Sequence, residues 1–318
     1  MSATASTSQT EDGGRIRFQE PGDFDAFWRD TIAGTRAHDL DVRITPVESG
    51  LRTIDAFDLS YAGFDGHRVH AWLRLPAGAR EPLPAVVHFT GYGAGRGHLT
   101  DNLAWSAAGY AHLLMDTRGQ GDGVTLDPPF GSSAGVHGFI TRGLESASNF
   151  YYRRVYADAV RAVDAVRSLD AVDAARVAII GNSQGGGIAL AAATLSHDVR
   201  ALLVQAPFMC DIENAVAVAQ RTPYLELVEL LRVRRYDRDR AFGTLAYFDG
   251  LAFAARASAP AWFSAGLMDD ICPPSTTFAV HEAYTGPKHI AVWPHNGHDA
   301  GGAEDRAAAL RVLSERLG

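Results

Sequence analysis

Cysteine is nearly absent from this sequence: Cys210 and Cys272 are the only two in 318 residues. Two thiols in a chain of that length are no disulfide framework, and both are expected as small buried apolar side chains. Long apolar runs are missing too. None reaches the ~18 residues that cross a bilayer, so no membrane partner is expected. Positive charge is not in excess: the formal net charge is −8, which disfavours non-specific binding to nucleic acid. Residues 1–14, MSATASTSQTEDGG, lack the basic and apolar regions of a secretory signal. They read as a disordered polar tail, and the expectation is a cytoplasmic protein. No H-E-x-x-H or comparable histidine spacing occurs, so no metal and no other cofactor is expected.

What is present suits a large core: 47% of residues are hydrophobic and 21% charged. Asp23 is placed to cap a helix carrying Phe24, Phe27, Trp28 and Ile32 on one face. Residues 57–75 read as a hairpin turning at Asp65-Gly66. Beyond Pro84, short apolar runs alternate with helical stretches. The runs cover 85–90, 111–116, 176–181, 201–206, 261–268 and 289–294; the helices are expected near 154–169, 185–196, 275–284 and 302–316. The runs do not alternate strictly, as expected for strands covered on both faces. This order predicts one α/β domain over 15–318, built on a mostly parallel, doubly wound sheet with an N-terminal helical and hairpin extension. Residues 208–256 show helical segments and no clear strand. They read as a helical insertion lying over the strand ends, where open α/β sheets bind ligands.

The strongest chemical signal is G-N-S-Q-G at Gly181–Gly185, between the strand RVAIIG and the helix GGIALAAATL. A nucleophile elbow needs this context: a tight turn lifts the Ser183 hydroxyl above the sheet and aims helix N–H groups at a developing oxyanion. A serine nucleophile needs a base and an orienting acid, in chain order Ser, Asp, His. Asp269 follows the run AWFSAGLM and His298 lies just after HIAVWP, so both sit at the sheet edge that carries Ser183. Asp270 and His295 are their local rivals. The loop Gly91–Gly97, GYGAGRG, follows another strand and lacks the spacing of a phosphate-binding loop. We read it as half of an oxyanion hole formed by the backbone N–H groups of Tyr92 and Gln184. Arg118, in D-T-R-G-Q-G, is read as tying loops together beside the site rather than binding an anionic substrate. The aromatic run Phe150, Tyr151, Tyr152 reads as packing at a helix start.

With these motifs in place, the sequence resembles the acetyl xylan esterase / cephalosporin C deacetylase family, carbohydrate esterase family 7. The likeness rests on R-G-Q at Arg118–Gln120, G-x-S-Q-G at Gly181–Gly185 and a histidine-acid pair, here His298-Asp299 where the family has H-E. The stretches GYGAGRG, GFITRG, YYRRVYADAVRAVDA, LAYFDGLAFAARA and GLMDDICPPST extend it over roughly residues 20–318. The resemblance implies an α/β-hydrolase fold with Ser183 as nucleophile, Asp269 as acid and His298 as base. It also implies oxyanion donors at Tyr92 and Gln184 and supporting roles for Arg118 and Gln120. It further implies a cytoplasmic homo-oligomer, typically a hexamer, that deacetylates small acetylated esters such as xylo-oligosaccharides and cephalosporin C. Tyr92 and Pro223, in the R-T-P-Y run, are the expected walls of a small acyl pocket. A broader carboxylesterase is the alternative. A prolyl oligopeptidase-type peptidase usually adds a propeller domain, for which this chain has no room. A non-catalytic binding protein on the same scaffold would normally have lost Ser, Asp or His.

Overall fold

The structure, a computed structural model, describes residues 16–128 and 138–318; the polar tail expected over residues 1–14 lies outside them. Among the described residues the nine strands are β1 (Arg43–Val47), β2 (Ile54–Ala62), β3 (Arg68–Pro76), β4 (Leu83–Phe89), β5 (Ala111–Met115), β6 (Val172–Asn182), β7 (Ala201–Gln205), β8 (Ala261–Gly266) and β9 (Lys288–Trp293). They form one sheet in the order β1-β2-β3-β5-β4-β6-β7-β8-β9. β1, β2, β3 and β5 pair antiparallel; β5, β4 and β6 to β9 run parallel. The helices are α1 (Phe24–Arg36), α2 (Ala104–Ala107), α3 (Tyr151–Arg167), α4 (Gln184–Ser196), α5 (Ile212–Ala217), α6 (Tyr224–Val233), α7 (Arg238–Leu245), α8 (Gly250–Ala254), α9 (Pro274–Ala283) and α10 (Ala303–Leu317). α5 to α8 lie in the chain between β7 and β8, with no strand among them. This is an α/β-hydrolase fold.

The sheet is covered on both faces, which explains the unbroken apolar runs. Along β6, Val177 and Ile179 enter the core shared with α3 and α4, while Ala178 and Ile180 join Ala309, Val312 and Leu313 of α10 on the other face. α4 is buried almost all round, so its sequence carries no polar stripe. α1 turns Phe24, Trp28 and Ile32 inward, and Trp28 Nε1 donates to Tyr247 O at 2.8 Å, docking the N-terminal extension near the end of α7. Asp23 stands at the start of α1 but its carboxylate does not cap it. The carboxylate accepts from the Tyr247 hydroxyl at 2.5 Å instead, so tertiary docking overrides the local cap.

One strand is unexpected, and one strand ends earlier than its apolar run. β1 was not foreseen, because RITPV contains Pro46 and is mostly exposed at the sheet edge. β8 ends at Gly266, so Asp269 does not follow the strand directly; it closes a turn through Asp269 N to Gly266 O at 3.3 Å.

The strand order reverses at β4, which lies between β5 and β6. Chain connections leave β4 in one direction and return across it to β6. The carboxyl ends of strands at such a switch point open a crevice. The Gly91–Gly97 loop follows β4 and the Ser183 turn follows β6, so both border that crevice.

Candidate active site

Ser183 sits between β6 and α4 with φ 56° and ψ −122°, a conformation that L side chains rarely adopt. The surroundings enforce it. Ser183 N donates to Gln205 O, and Ser183 O accepts from Phe208 N, both at 2.9 Å. The flanking glycines are sterically required: a Cβ on Gly181 would come within 2.0 Å of Gly185 O, and one on Gly185 within 2.1 Å of Phe89 O. This is the physical content of the G-x-S-x-G spacing.

His298 Nδ1 lies 2.8 Å from Asp269 Oδ2, and Asp269 is buried while the histidine is partly open. The other carboxylate oxygen accepts from Ile271 N at 2.9 Å and Cys272 N at 3.0 Å, which fixes its orientation. The rivals point elsewhere. Asp270 is exposed and pairs with Arg221 at 3.2 Å; His295 is exposed. Ser183 is not hydrogen-bonded to His298 among the described residues. Its hydroxyl lies beside the Cys272 thiol, whose pKa is pushed up by burial and the nearby Asp269 carboxylate and eased down by that hydroxyl. Catalytic hydrogen bonds are often long before substrate binds, and a serine hydroxyl needs only a χ1 rotation to leave one partner for another.

Neither Tyr92 N nor Gln184 N donates a hydrogen bond among the described residues. Gln184 is the first residue of α4, whose opening N–H groups have no partner inside the helix. The Gln184 side chain is fully engaged. Its Nε2 donates to Gly91 O at 3.2 Å and Gln120 Oε1 at 3.1 Å, and its Oε1 accepts from Gln120 Nε2 at 2.9 Å and the Tyr152 hydroxyl at 2.8 Å. Gln120 Oε1 also accepts from Gly93 N at 2.7 Å, and Gln120 Nε2 donates to the Tyr151 hydroxyl at 2.9 Å. The two buried amides thus join the β4 loop, the β5 loop, the start of α3 and the elbow.

Tyr151 and Tyr152 do more than pack at a helix start. Burial raises both phenol pKa values, so the hydroxyls stay protonated and act as donors, Tyr151 to Arg118 O at 2.5 Å. No local pattern marked them; their spacing to Gln120 and Gln184 is legible only once the sheet is assembled. Asp116 was also missed. Fully buried, it accepts from Arg96 N, Val124 N and Thr125 N at 2.7 to 3.0 Å, holding the Gly91–Gly97 loop against the next one. Its signal in the sequence is an aspartate directly after an apolar run, opening D-T-R-G-Q-G.

Arg118 is buried in a two-pronged pair with Asp158 of α3, at 2.6 and 2.7 Å, with Asp127 at 3.5 Å. That leaves it unsuited to a substrate anion. Tyr92 commits its hydroxyl to Glu226 Oε2, at 2.7 Å. Pro223 is buried at the start of α6 and makes no hydrogen bond to the Ser183, Asp269 or His298 side chains. Asp299 is exposed and touches only Asn296 Nδ2 through its carboxylate, at 3.4 Å, among the described residues. Among these residues no group of three or more His, Cys, Asp or Glu could hold a metal ion, and no helix is long and apolar enough to cross a membrane.

The profile of the family described as Acetyl xylan esterase (AXE1) matches residues 14–316. The acetyl xylan esterase from Paenibacillus sp. R4 is 35% identical with a TM-score of 0.90, over 95% of this chain and 97% of that one. Acetyl Xylan Esterase 1 from Thermoanaerobacterium sp. JW/SL YS485 is 31% identical with a TM-score of 0.87, over 94% of this chain and 95% of that one. Acetyl esterase Axe7A of Xylanibacter ruminicola is 29% identical over 291 residues. That alignment takes in 88% of this chain but spans 64% of the length of the relative.

Proposed function

The chain belongs to the acetyl xylan esterase family, and on that premise we propose that it is a serine esterase removing acetyl groups from small acetylated carbohydrates and cephalosporin C-like esters. The observation that carries the proposal is the buried Asp269 carboxylate bound to His298 Nδ1 beside the strained Ser183 turn. With Nδ1 committed to Asp269, Nε2 is the nitrogen left to accept a proton. In the proposed course, the Ser183 hydroxyl rotates from Cys272 towards Nε2 and attacks the acetyl carbonyl while His298 takes its proton. The developing oxyanion is received by Tyr92 N and Gln184 N, both without a hydrogen-bond partner among the described residues. Collapse of the tetrahedral intermediate expels the alcohol, protonated by His298, and leaves acetyl-Ser183. Water, deprotonated by the same histidine, then releases acetate. Asp269 keeps the imidazole tautomer and orientation throughout. The resemblance also supports a homohexamer of small-molecule specificity, to be checked by light scattering against the 34.1 kDa of one chain.

The test compares kcat/KM for 4-nitrophenyl acetate, butyrate and octanoate, then for acetylated xylo-oligosaccharides and cephalosporin C. A rigid acyl wall that rejects added methylenes costs about 1–3 kcal/mol, or about one to two decades in rate. Acetate is therefore expected to lead butyrate by that margin. Equal or rising values with chain length overturn the acetylesterase reading in favour of a general carboxylesterase.

A further inference from the structure

Tyr92 carries its proposed catalytic group, the backbone N–H, at one end and is held at the other. Its hydroxyl donates to Glu226 Oε2 at 2.7 Å and accepts from Phe139 N at 2.5 Å and Ile140 N at 3.1 Å. Between these ends the ring meets Phe139 and Phe208 edge-on, with centroids 5.4 and 5.7 Å away. Burial and the Glu226 carboxylate both raise the phenol pKa, so it remains the donor to that carboxylate. Glu226 is buried in the first turn of α6, and Glu226 N donates to Pro223 O at 3.1 Å. The preceding Tyr224 anchors the same turn by accepting from Met209 N at 3.0 Å, directly after the elbow's partner Phe208. One side-chain contact therefore ties the helix that begins at Pro223 to the loop that presents the Tyr92 N–H. The approach is tight on the far side as well: a Cβ on Gly138 would lie 1.6 Å from Glu226 Oε2, so the 138–140 segment closes directly over the carboxylate.

We propose that Glu226 is a positioning residue that sets both oxyanion stabilisation and acyl-chain selectivity, by fixing Tyr92 relative to Pro223. It touches neither substrate nor the reacting atoms. The inference rests on the esterase reading above. A backbone donor is effective only where its N–H meets the oxyanion, and misplacement by about 1 Å costs on the order of 100-fold. Freed from Glu226, the Tyr92 ring tilts, its N–H drifts, and the gap between Tyr92 and α6 widens. Rate on acetyl esters falls while discrimination against longer acyl chains relaxes. A merely stabilising tie would lower the melting temperature and move neither quantity.

The experiment compares Glu226→Leu, Glu226→Gln and Tyr92→Phe with the unaltered chain. Glu226→Leu is expected to lower kcat on 4-nitrophenyl acetate by about 10- to 100-fold with little change in KM. It also narrows the acetate-to-butyrate ratio. Glu226→Gln keeps an acceptor oxygen at the same reach and restores most of both. Tyr92→Phe, which removes the donor, reproduces the Leu variant and carries the test if that variant does not fold. Labelling of Ser183 by a fluorophosphonate, whose phosphoryl oxygen occupies the same hole, slows in parallel in both. Because this readout needs no acetyl substrate, failure of the acetylesterase reading and failure of the Glu226 assignment give separate results. Wild-type kcat, selectivity and labelling rate in folded Glu226→Leu or Tyr92→Phe overturn the assignment, as does a Gln variant as damaged as the Leu variant.

Discussion

Asp269 meets His298 Nδ1 with Oδ2 at 2.8 Å and gives Oδ1 to the backbone of its own turn, at Ile271 N and Cys272 N. The carboxylate is thus oriented before any substrate arrives. The neighbouring Asp270 points outward to Arg221, and both members of that pair are more than half exposed.

Asp269→Asn should keep the two turn hydrogen bonds through its amide oxygen, which leaves an NH₂ group facing His298 Nδ1. The imidazole must then present its N–H on the wrong side. A kcat loss of about 10⁴ is expected, the size seen when a triad aspartate becomes asparagine. Asp270→Asn loses only an exposed ion pair, worth about 0–1 kcal/mol of stability, and should turn over at the wild-type rate. His298→Ala should be inactive and His295→Ala active. Steady-state kinetics on 4-nitrophenyl acetate decide the matter, and a dead Asp270 or His295 variant would refute the triad.

The backbone at Ser183 makes a second expectation possible. Ser183→Ala should lower kcat by about 10⁴–10⁶ while keeping the strained turn. Ser183→Gly should be equally inactive but more stable than the alanine variant by about 1–3 kcal/mol, since glycine alone tolerates φ 56° and ψ −122° without strain. Urea midpoints of the two variants check this. Equal stability would mean that the elbow stores no backbone strain.

Gln120 sits where four elements meet. Gln120→Leu removes the acceptor of Gly93 N and both hydrogen bonds to the Gln184 amide, at about 0.5–1.5 kcal/mol for each bond lost. The expected outcome is a large drop in melting temperature and a fall in kcat greater than the change in KM. The Gly91–Gly97 loop would lose its register with the elbow. A calorimetric scan with parallel kinetics checks both effects, and unchanged kcat in the folded variant would dissociate the amide pair from catalysis.

The parallel core of the fold was legible because its strands are apolar on both faces and its helices have clear faces or none. Val177 to Ile180 alternate between two cores, and an unbroken run is the necessary trace of that. The elbow was legible because both of its glycines are forced, Gly181 by Gly185 O within the turn and Gly185 by Phe89 O at the end of β4, so the motif keeps its spacing. β1 was hidden by Pro46 and exposure. The choice between Asp269 and Asp270 depends on a turn that begins at Gly266, which periodicity does not show. Tyr152 to Gln184 and Tyr92 to Glu226 were hidden for a different reason. Each pair is brought together by the sheet across 32 and 134 residues respectively, and no residue type at either end announces its partner.

The last expectation concerns acid stability. His112 is fully buried, with Nδ1 3.3 Å from Arg74 Nη1 and Nε2 3.3 Å from His88 Nδ1. Arginine donates only, so His112 Nδ1 must accept, Nε2 carries its proton, and His88 Nδ1 accepts in turn. Burial, reinforced by Arg74, lowers the pKa of His88 to about 4. Burial, His88 and Arg74 hold His112 well below the usual histidine range. The unfolded chain takes up protons on both histidines near pH 6.5, whereas the folded chain does not. Their contribution to stability is therefore complete above that pH and is lost as pH falls towards 4. Asp249 opposes them: burial raises its pKa to about 7, against three backbone donors, so the folded chain binds that proton earlier than the unfolded one. As pH falls from about 6.5 towards 5 the unfolded state thus comes to bind about one more proton than the folded state. Each pH unit lost should cost up to about 1.4 kcal/mol at the acid end of that window. Urea unfolding across that window measures the slope. Asp249→Asn should steepen it towards two protons, and His88→Leu combined with His112→Leu should reverse its sign. A slope that neither pair of substitutions alters would mean that these buried groups titrate alike in the folded and unfolded chains.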